Sequence, residues 1–243
     1  MLLIYNDNLD AYYNLACEEY LLKGKADNVF MVWRNKNAVI IGRNQNPAEE
    51  IDEAYVREKD IKVVRRLTGG GAVYHDEGNI NYTFVQRGAK EHFNDYRYFA
   101  APIIEFLKTL GVTAEFSGRN DIITGGKKIS GTAQVMVNED VLFHGTLLID
   151  TDMGVLTKCL KPDYTKLERH GIKSVESRVM NLKDAAGGKS AGEIMRLLYN
   201  AFKEYKGFQS REYKLTAADD RAIRKLVAEK YGTREWNYDG NEN

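Results

Sequence analysis

Apolar and polar residues alternate along the chain with two periods, one helical and one of strands. Ala11–Lys23 places Leu15, Cys17, Leu21 and Leu22 among polar residues, the spacing of an amphipathic helix. Val29–Arg34 and Ala38–Arg43 are short apolar runs separated by Asn35-Lys36-Asn37 and read as a pair of strands. Ile61–Arg66 and Asn79–Val85 read as two more, with glycine-rich sequence between them. Tyr96–Leu110 predicts a helix closed by Gly111. Thr113–Phe116, Asp121–Ser130, Ala133–Asn138 and Val141–Ile149 then form a dense block of strands. Gly125-Gly126 marks a hairpin turn, because a type I′ turn needs positive φ at both centres. Ser190–Tyr205 and Ala217–Tyr231 return to the helical period. Thr216 with Asp219 resembles a capping box for the second, and Gly232 fits its C-cap. Ala185-Ala186-Gly187-Gly188 reads as a linker. The pattern predicts an α+β fold with a mixed or antiparallel sheet: a core over residues 1–184 and a helical extension of the same domain over 185–243.

Composition narrows the class of partner. The 243 residues are 43% hydrophobic and 29% charged, enough apolar material for one large core. Lysine plus arginine total 35 and aspartate plus glutamate total 35, so no electrostatic footprint marks nonspecific nucleic-acid binding. A local basic patch stays open. Cys17 and Cys159 lie far apart with no metal-ligand spacing, which suits a reducing compartment. The N-terminus lacks the basic start and apolar run of a signal peptide, and no uncharged stretch reaches the roughly 20 residues of a membrane span. The expectation is a cytoplasmic protein with neither nucleic acid nor membrane as partner.

Three clusters carry residues suited to chemistry. In Arg65-Arg66-Leu67-Thr68-Gly69-Gly70-Gly71-Ala72-Val73-Tyr74-His75-Asp76, three adjacent glycines cost backbone entropy and offer no packing surface. Such a turn can form an anion-binding nest, and Arg66 adds a positive fork suited to phosphate or carboxylate. It has neither Walker A nor Rossmann spacing, and a bulged strand connection is the plain alternative. In the second cluster, Gly118-Arg119-Asn120-Asp121 leads to Lys128-Ile129-Ser130-Gly131 through the glycine turn. A two-residue turn sets Thr124 opposite Lys127, Ile123 opposite Lys128 and Asp121 opposite Ser130. Lys128, Ser130 and Asp121 then share one face. A catalytic lysine there would neutralise phosphate and carbonyl oxygens, and the carboxylate would hold Mg²⁺; an ordinary surface ion pair is the alternative. The third cluster, Val141–Ile149, is an apolar strand interrupted by His144-Gly145, where the glycine suggests that something approaches the backbone. A lone strand histidine is more often hydrogen-bonded packing. No histidine pair has transition-metal spacing.

In this order the clusters resemble the lipoate–protein ligase A family. The likeness extends through Gly78-Asn79-Ile80-Asn81-Tyr82-Thr83-Phe84, His144-Gly145-Thr146-Leu147-Leu148, Lys173–Leu182 and the opening helix Asn14–Leu22. It implies a biotin/lipoyl-ligase-like fold of largely antiparallel sheets flanked by helices, and a two-step reaction. Lipoate and ATP give lipoyl-AMP and pyrophosphate, and a lysine of a carrier domain then attacks the mixed anhydride. The carriers implied are the lipoyl domains of 2-oxoacid dehydrogenases or the glycine cleavage H protein. By matching positions, Lys128 would contact the lipoyl carbonyl and the nucleotide phosphate. Arg66, Gly71, Ala72, Val73 and Tyr74 would bind ATP; Gly70, His75, Asn79 and His144 would lie near lipoate or its adenylate; Asp121 would lie near Mg²⁺ or phosphate.

A cysteine-dependent acyl transferase of the same superfamily is the nearest rival, with Cys159 following the His144-Gly145 strand. Its nucleophile directly follows a proline, whereas here Pro162 precedes Asp163, and Cys159 is read as structural. A non-catalytic lipoate sensor or partner-binding module is the rival from another class, set against retention of Lys128 and the arginine–glycine loop. Many family members continue past a segment like Glu235-Trp236-Asn237-Tyr238 into a small C-terminal domain, whereas this chain stops at Asn243. The expectation is that the chain alone transfers from preformed lipoyl-AMP yet adenylates poorly unless a separate accessory domain assists.

Overall fold

The computed structural model describes residues 1–118, 120–161, 178–205, 207 and 209–240. Its strands are β1 (Leu2–Tyr5), β2 (Val29–Trp33), β3 (Ala38–Ile41), β4 (Lys62–Arg65), β5 (Val73–His75), β6 (Asn79–Gln86), β7 (Glu115–Ser117), β8 (Asp121–Thr124), β9 (Lys127–Val137), β10 (Asp140–Leu148) and β11 (Arg211–Glu212). They form an eight-stranded sheet, ordered β11-β1-β2-β6-β10-β9-β8-β7, and a three-stranded sheet, ordered β4-β3-β5. β1 runs parallel to both its neighbours and β3 parallel to β4, and the remaining pairs are antiparallel. This is the expected α+β arrangement of mixed, largely antiparallel sheets.

The helices are α1 (Ala11–Gly24), α2 (Pro47–Glu50), α3 (Glu53–Glu58), α4 (Tyr96–Thr109), α5 (Met153–Cys159), α6 (Ala191–Glu204) and α7 (Ala217–Leu226); α1, α4 and α6 cover the two faces of the large sheet, and α3 and α5 pack on the small one. One apolar core joins α4 and α6 to the sheet through Phe30, Phe84, Phe99, Phe143 and Phe202. A second joins α1 to the opposite face through Leu15, Met31, Trp33 and Leu142. Burial on both faces explains why β2 and β6 are buried along their whole length. A third core lies under the small sheet, with Cys159 inside it.

Two expectations change in detail. Helix α1 is not amphipathic, because ten of its fourteen residues are buried, Asn14, Glu18 and Glu19 among them. α7 packs over its outer side, so polar residues read as solvent-facing find buried partners instead. In the hairpin, Gly125 (φ 55°) and Gly126 (φ 75°) adopt the required left-handed conformation, and Thr124 pairs with Lys127. A bulge between Ile122 and Ile123 then shifts the register, so that Asp121 faces Gly131 and Ile122 faces Ser130. Ser130 consequently turns into the core, 3.1 Å from the Tyr82 hydroxyl.

After residue 184 the chain stays in the same fold. Gly187 and Gly188 turn it with positive φ, while Ala186 between the elements is buried. Ser190 caps α6 in a reciprocal capping box with Glu193, and β11 adds an edge strand beside β1. Arg65 fastens the end. Its guanidinium, 2% exposed, donates to the carbonyls of Gly42, Arg43 and Gln45 on one side and of Trp236, Asn237 and Tyr238 on the other. Among the described residues, no helix is long and apolar enough to cross a membrane.

Candidate active site

A cavity of about 620 Å³ opens where the glycine loop of β4–β5 faces β6, β10 and β9. Leu15, Trp33, Ile40, Ala72 and Val73 give it apolar wall, and Lys128, Asp121 and Arg178 stand at its charged part. Alternation along β5 decides which motif residues reach it. Val73 and His75 line the cavity, whereas the Tyr74 ring packs into the third core, its hydroxyl on Asn37. Tyr74 therefore keeps its side chain out of the cavity.

The three glycines differ in what holds them. Gly70 has φ +97°, and a Cβ there would sit 2.9 Å from Arg66 Nη2. Its carbonyl also presses against Gly42, where any Cβ would collide with it. Gly69 and Gly71 have nothing within 4 Å of a Cβ. The fold thus accounts for Gly70, while the bareness of its two neighbours leaves main chain open to a ligand.

Arg66 holds this loop in place. It is 5% exposed, and its fork points back at its own turn: Nε to Thr68 Oγ1 (2.9 Å) and the Gly69 carbonyl (3.3 Å), Nη2 to the carbonyls of Gly69 (2.7 Å) and Gly71 (2.8 Å), Nη1 to that of Ile40 (3.1 Å). Burial pushes its pKa down to about 10; Arg66 is part of the cavity lining, with its fork directed at the carbonyls of its own turn and of β3.

Lys128 reaches along its own strand. Its Nζ would lie 2.8 Å from a Cβ on Gly131, so that glycine is what lets the ammonium lie down on the sheet. It meets Asp121 Oδ1 at 2.7 Å, and Arg178 Nη2 meets the other carboxylate oxygen at 3.0 Å. Met180 N donates to the Lys128 carbonyl, tying the segment after Arg178 to the same strand. Of the motif expected over Lys173–Leu182, residues 173–177 lie outside the described residues, as do Arg119, Pro162 and Asp163.

His144 belongs to a buried chain of hydrogen bonds. Trp33 Nε1 donates to Thr83 Oγ1 (2.8 Å), and that hydroxyl donates to Glu18 Oε1 (2.6 Å). The Glu18 carboxylate accepts His144 Nδ1–H at 2.9 Å. Thr68 Oγ1, which accepts from Arg66 Nε, also hydrogen-bonds His144 Nε2 at 2.8 Å. Trp33, in the cavity lining, is thus linked by hydrogen bonds to the glycine loop. Gly145 has a different cause: a Cβ there would collide with the Tyr82 hydroxyl, so packing, not a ligand, requires it.

Asn79 stands behind the wall. Its Oδ1 accepts Asp76 N–H (3.1 Å) and its Nδ2 donates to Asn81 Oδ1 (3.1 Å), leaving Asn81, two residues on along the same strand face, to line the cavity. Glu18, Trp33, Asn81, Gln134 and Arg178 are cavity or network residues that sequence reading did not single out. The period of two through Asn79, Asn81 and Thr83 was the available signal.

The cavity thus sets a lysine ammonium beside apolar wall from Trp33 and Ile40, a lining with the mixed character that an amphiphilic anion requires. Comparison with known proteins then gives the family. The model of the lipoyl protein ligase A/B catalytic domain matches residues 10–203. Lipoate-protein ligase LplJ of Bacillus subtilis is 42% identical over 243 residues, 98% of this chain and 73% of the relative. The bipartite lipoate protein ligase of Thermoplasma acidophilum, solved in a study with its E2 lipoyl domain, superposes with a TM-score of 0.88 at 30% identity, covering 100% of this chain and 97% of that one. A crystal structure of lipoate-protein ligase A bound with ATP gives a TM-score of 0.83 at 30% identity, covering 98% and 97%. The chain belongs to the lipoyl protein ligase A/B catalytic-domain family.

Proposed function

We propose that the protein activates lipoate with ATP and transfers the lipoyl group to a lysine of a lipoyl carrier domain. The observation that carries this reading is the Lys128 ammonium, laid over Gly131 in a cavity that sets apolar side chains such as Leu15, Trp33 and Ile40 beside polar and charged ones. In the first step a lipoate carboxylate oxygen attacks the α-phosphorus, the bond to the bridging oxygen breaks, and pyrophosphate leaves. Lys128 neutralises charge gathering on the α-phosphate and acyl oxygens, and the bare main chain at Gly69 and Gly71 receives phosphate oxygens. In the second step the carrier amine attacks the acyl carbon, the C–O bond to AMP breaks, and the amine releases a proton as the amide forms. Enclosure of the tail keeps water from the anhydride.

Among the described residues the protein offers no ready-made cluster of ligands for magnesium. Among the described residues no group of three or more histidine, cysteine or carboxylate side chains stands together, and both Asp121 oxygens face cations. Mg²⁺ would come with the triphosphate, as is usual for this ion. Asp121 acts in this reading as the counter-ion that holds Lys128 and Arg178 in place.

The thiol-transferase reading finds no support in the cysteines. Cys17 and Cys159 are fully buried outside the cavity, and burial pushes the Cys159 thiol up to about 12. Carrier lipoyl domains of the E2 type are the acceptors best supported by the relatives, and the glycine cleavage H protein and a separate accessory domain are further proposed partners. The test is pyrophosphate release from lipoate and ATP, followed by mass gain on an E2 lipoyl domain. Lys128→Ala should lower release about 10²–10³-fold with unchanged circular dichroism. ATP-independent acyl transfer lost on Cys159→Ala would refute the assignment, as would lipoate binding with no release under any condition.

A further inference from the structure

Two neighbouring arginines on β4 face opposite ways, as successive strand residues do. Arg66 grips the glycine loop and lines the cavity, whereas Arg65 turns away from both and lines no part of it. Each of the six acceptors of the Arg65 guanidinium is a main-chain carbonyl, three from residues 42–45 and three from residues 236–238. A buried charge left short of partners is costly, so neither set of carbonyls can withdraw without penalty. The two segments hold their places together.

The later segment also covers the strand itself. β4 is an edge of the small sheet, and the outward main-chain groups of Arg65 are taken by side chains. Arg65 N–H donates to Asn237 Oδ1 at 2.9 Å, and Trp236 Nε1–H donates to the Arg65 carbonyl at 2.9 Å. Asn237 Nδ2 in turn donates to the carbonyls of Tyr231 (2.7 Å) and Thr233 (2.8 Å), which fixes the orientation of its amide. Arg43 adds a further tie, with its guanidinium 4.7 Å over the Trp236 ring and a hydrogen bond of 2.8 Å to the Gly240 carbonyl.

From residues 42–45 the contact passes to the glycine loop. Arg43 N–H donates to the Thr68 carbonyl at 2.9 Å. The Gly70 carbonyl occupies the space where a Gly42 Cβ would stand, so the two backbones move as one. Gly69 and Gly71, on either side of Gly70, carry the bare main chain assigned to phosphate oxygens.

We infer that Arg65 is a positioning residue for ATP, which makes the placement of the glycine loop depend on the docking of residues 236–240. The inference rests on the ATP-activating reading and adds to it a control point outside the cavity. Coupling of this kind is reciprocal: undocking the segment weakens ATP binding, and bound ATP holds the segment more firmly.

The experiment compares wild type with Arg65→Lys in pyrophosphate release from lipoate and ATP. Lysine keeps the charge but brings three donors to six carbonyls. The expected result is a KM for ATP raised about tenfold, within the usual range of such couplings, and a far smaller change in the KM for lipoate. Amides of residues 69–71 should exchange faster with solvent in the same variant. Asp219→Asn controls for lost stability alone, because Asp219 caps α7 and accepts from Tyr20 and Lys25, remote from the glycine loop. Its KM for ATP should match that of the wild type. An unchanged KM for ATP and unchanged loop exchange in Arg65→Lys, or an equal rise in Asp219→Asn, overturns the positioning role. A second measurement uses wild-type protein and stands even where Arg65→Lys does not fold. Saturating ATP should slow amide exchange at residues 236–240, which lie outside the cavity lining, and unchanged exchange there overturns the coupling. Slowed exchange in protein that releases no pyrophosphate would sustain the coupling and sink the adenylation reading, so the two fail separately.

Discussion

Replacing Arg66 by lysine separates two roles that sequence alone leaves merged. If the guanidinium were a phosphate ligand, lysine would keep the charge and fold normally, and the loss would appear in the KM for ATP. In the structure the fork instead makes five hydrogen bonds, four of them to its own turn or the main chain of β3 and one to Gly71. An ammonium has three donors and no plane, so at least two of the five are lost, and the Gly69 and Gly71 carbonyls cannot both be reached. Buried bonds from a charged donor are worth about 1.5–3 kcal/mol each, and the longest of the five is weak. A loss of about 2–4 kcal/mol follows. For a chain of this size each 1 kcal/mol moves Tm by about 2–4 °C, so Arg66→Lys should melt roughly 5–15 °C lower.

The assay is urea unfolding with the slope monitored for constancy, together with amide hydrogen exchange at Gly69–Gly71. The loop amides should exchange faster in the variant while those of β6 and β10 keep their protection. A variant that melts within about 2 °C of wild type and shows only a raised KM for ATP would refute the supporting role and restore Arg66 as a direct phosphate contact.

Other outcomes follow from the same geometry. Gly70→Ala should cost about 1–3 kcal/mol in unfolding free energy, because its φ of +97° and the nearby Arg66 Nη2 resist a side chain. Gly71→Ala, with open space around its Cβ, should melt like wild type yet release pyrophosphate more slowly; equal thermal losses in the pair would contradict the loop assignment. His75 gives a pH signature. Burial, with Arg66 and His144 nearby, drives its pKa from 6.5 to about 3. Above pH 6.5 it is neutral in both folded and unfolded chains and contributes nothing. As pH falls below 6.5 only the unfolded chain takes up the proton, so stability drops by up to about 1.4 kcal/mol per pH unit. His75→Gln should flatten that part of the urea-midpoint profile, and an unchanged slope between pH 6 and pH 4 would contradict it.

The parts of the site legible in the sequence were those in which one local stretch carries the whole signal. The glycine loop announces itself because three adjacent glycines have no packing use, and the turn at Gly125-Gly126 because both centres need positive φ. The polar residues of α1 were misread for the opposite reason. Asn14, Glu18 and Glu19 look like a solvated stripe, and their partners Asn35, His144, Tyr231 and Lys230 come from distant parts of the chain. No local pattern states that pairing. The bulge at Ile122/Ile123 belongs to the same class: a single extra residue moved Asp121 from opposite Ser130 to opposite Gly131, and only the assembled sheet shows it.

That shift has a chemical consequence. Had Asp121 stayed opposite Ser130, no bare glycine would lie across from it. With Asp121 opposite Gly131, the ammonium can fold down onto the glycine and reach the carboxylate at 2.7 Å, on the strand face shared with His144 and Asn81. A methyl group at 131 would sit 2.8 Å from Nζ, so the tip of the lysine would have to shift from this position. Gly131→Ala should therefore lower pyrophosphate release in the manner of a Lys128 variant while the ladder of β9 stays intact, because alanine is tolerated in a strand backbone. Release unchanged in that variant would show that Lys128 acts from some other position than the one it occupies here.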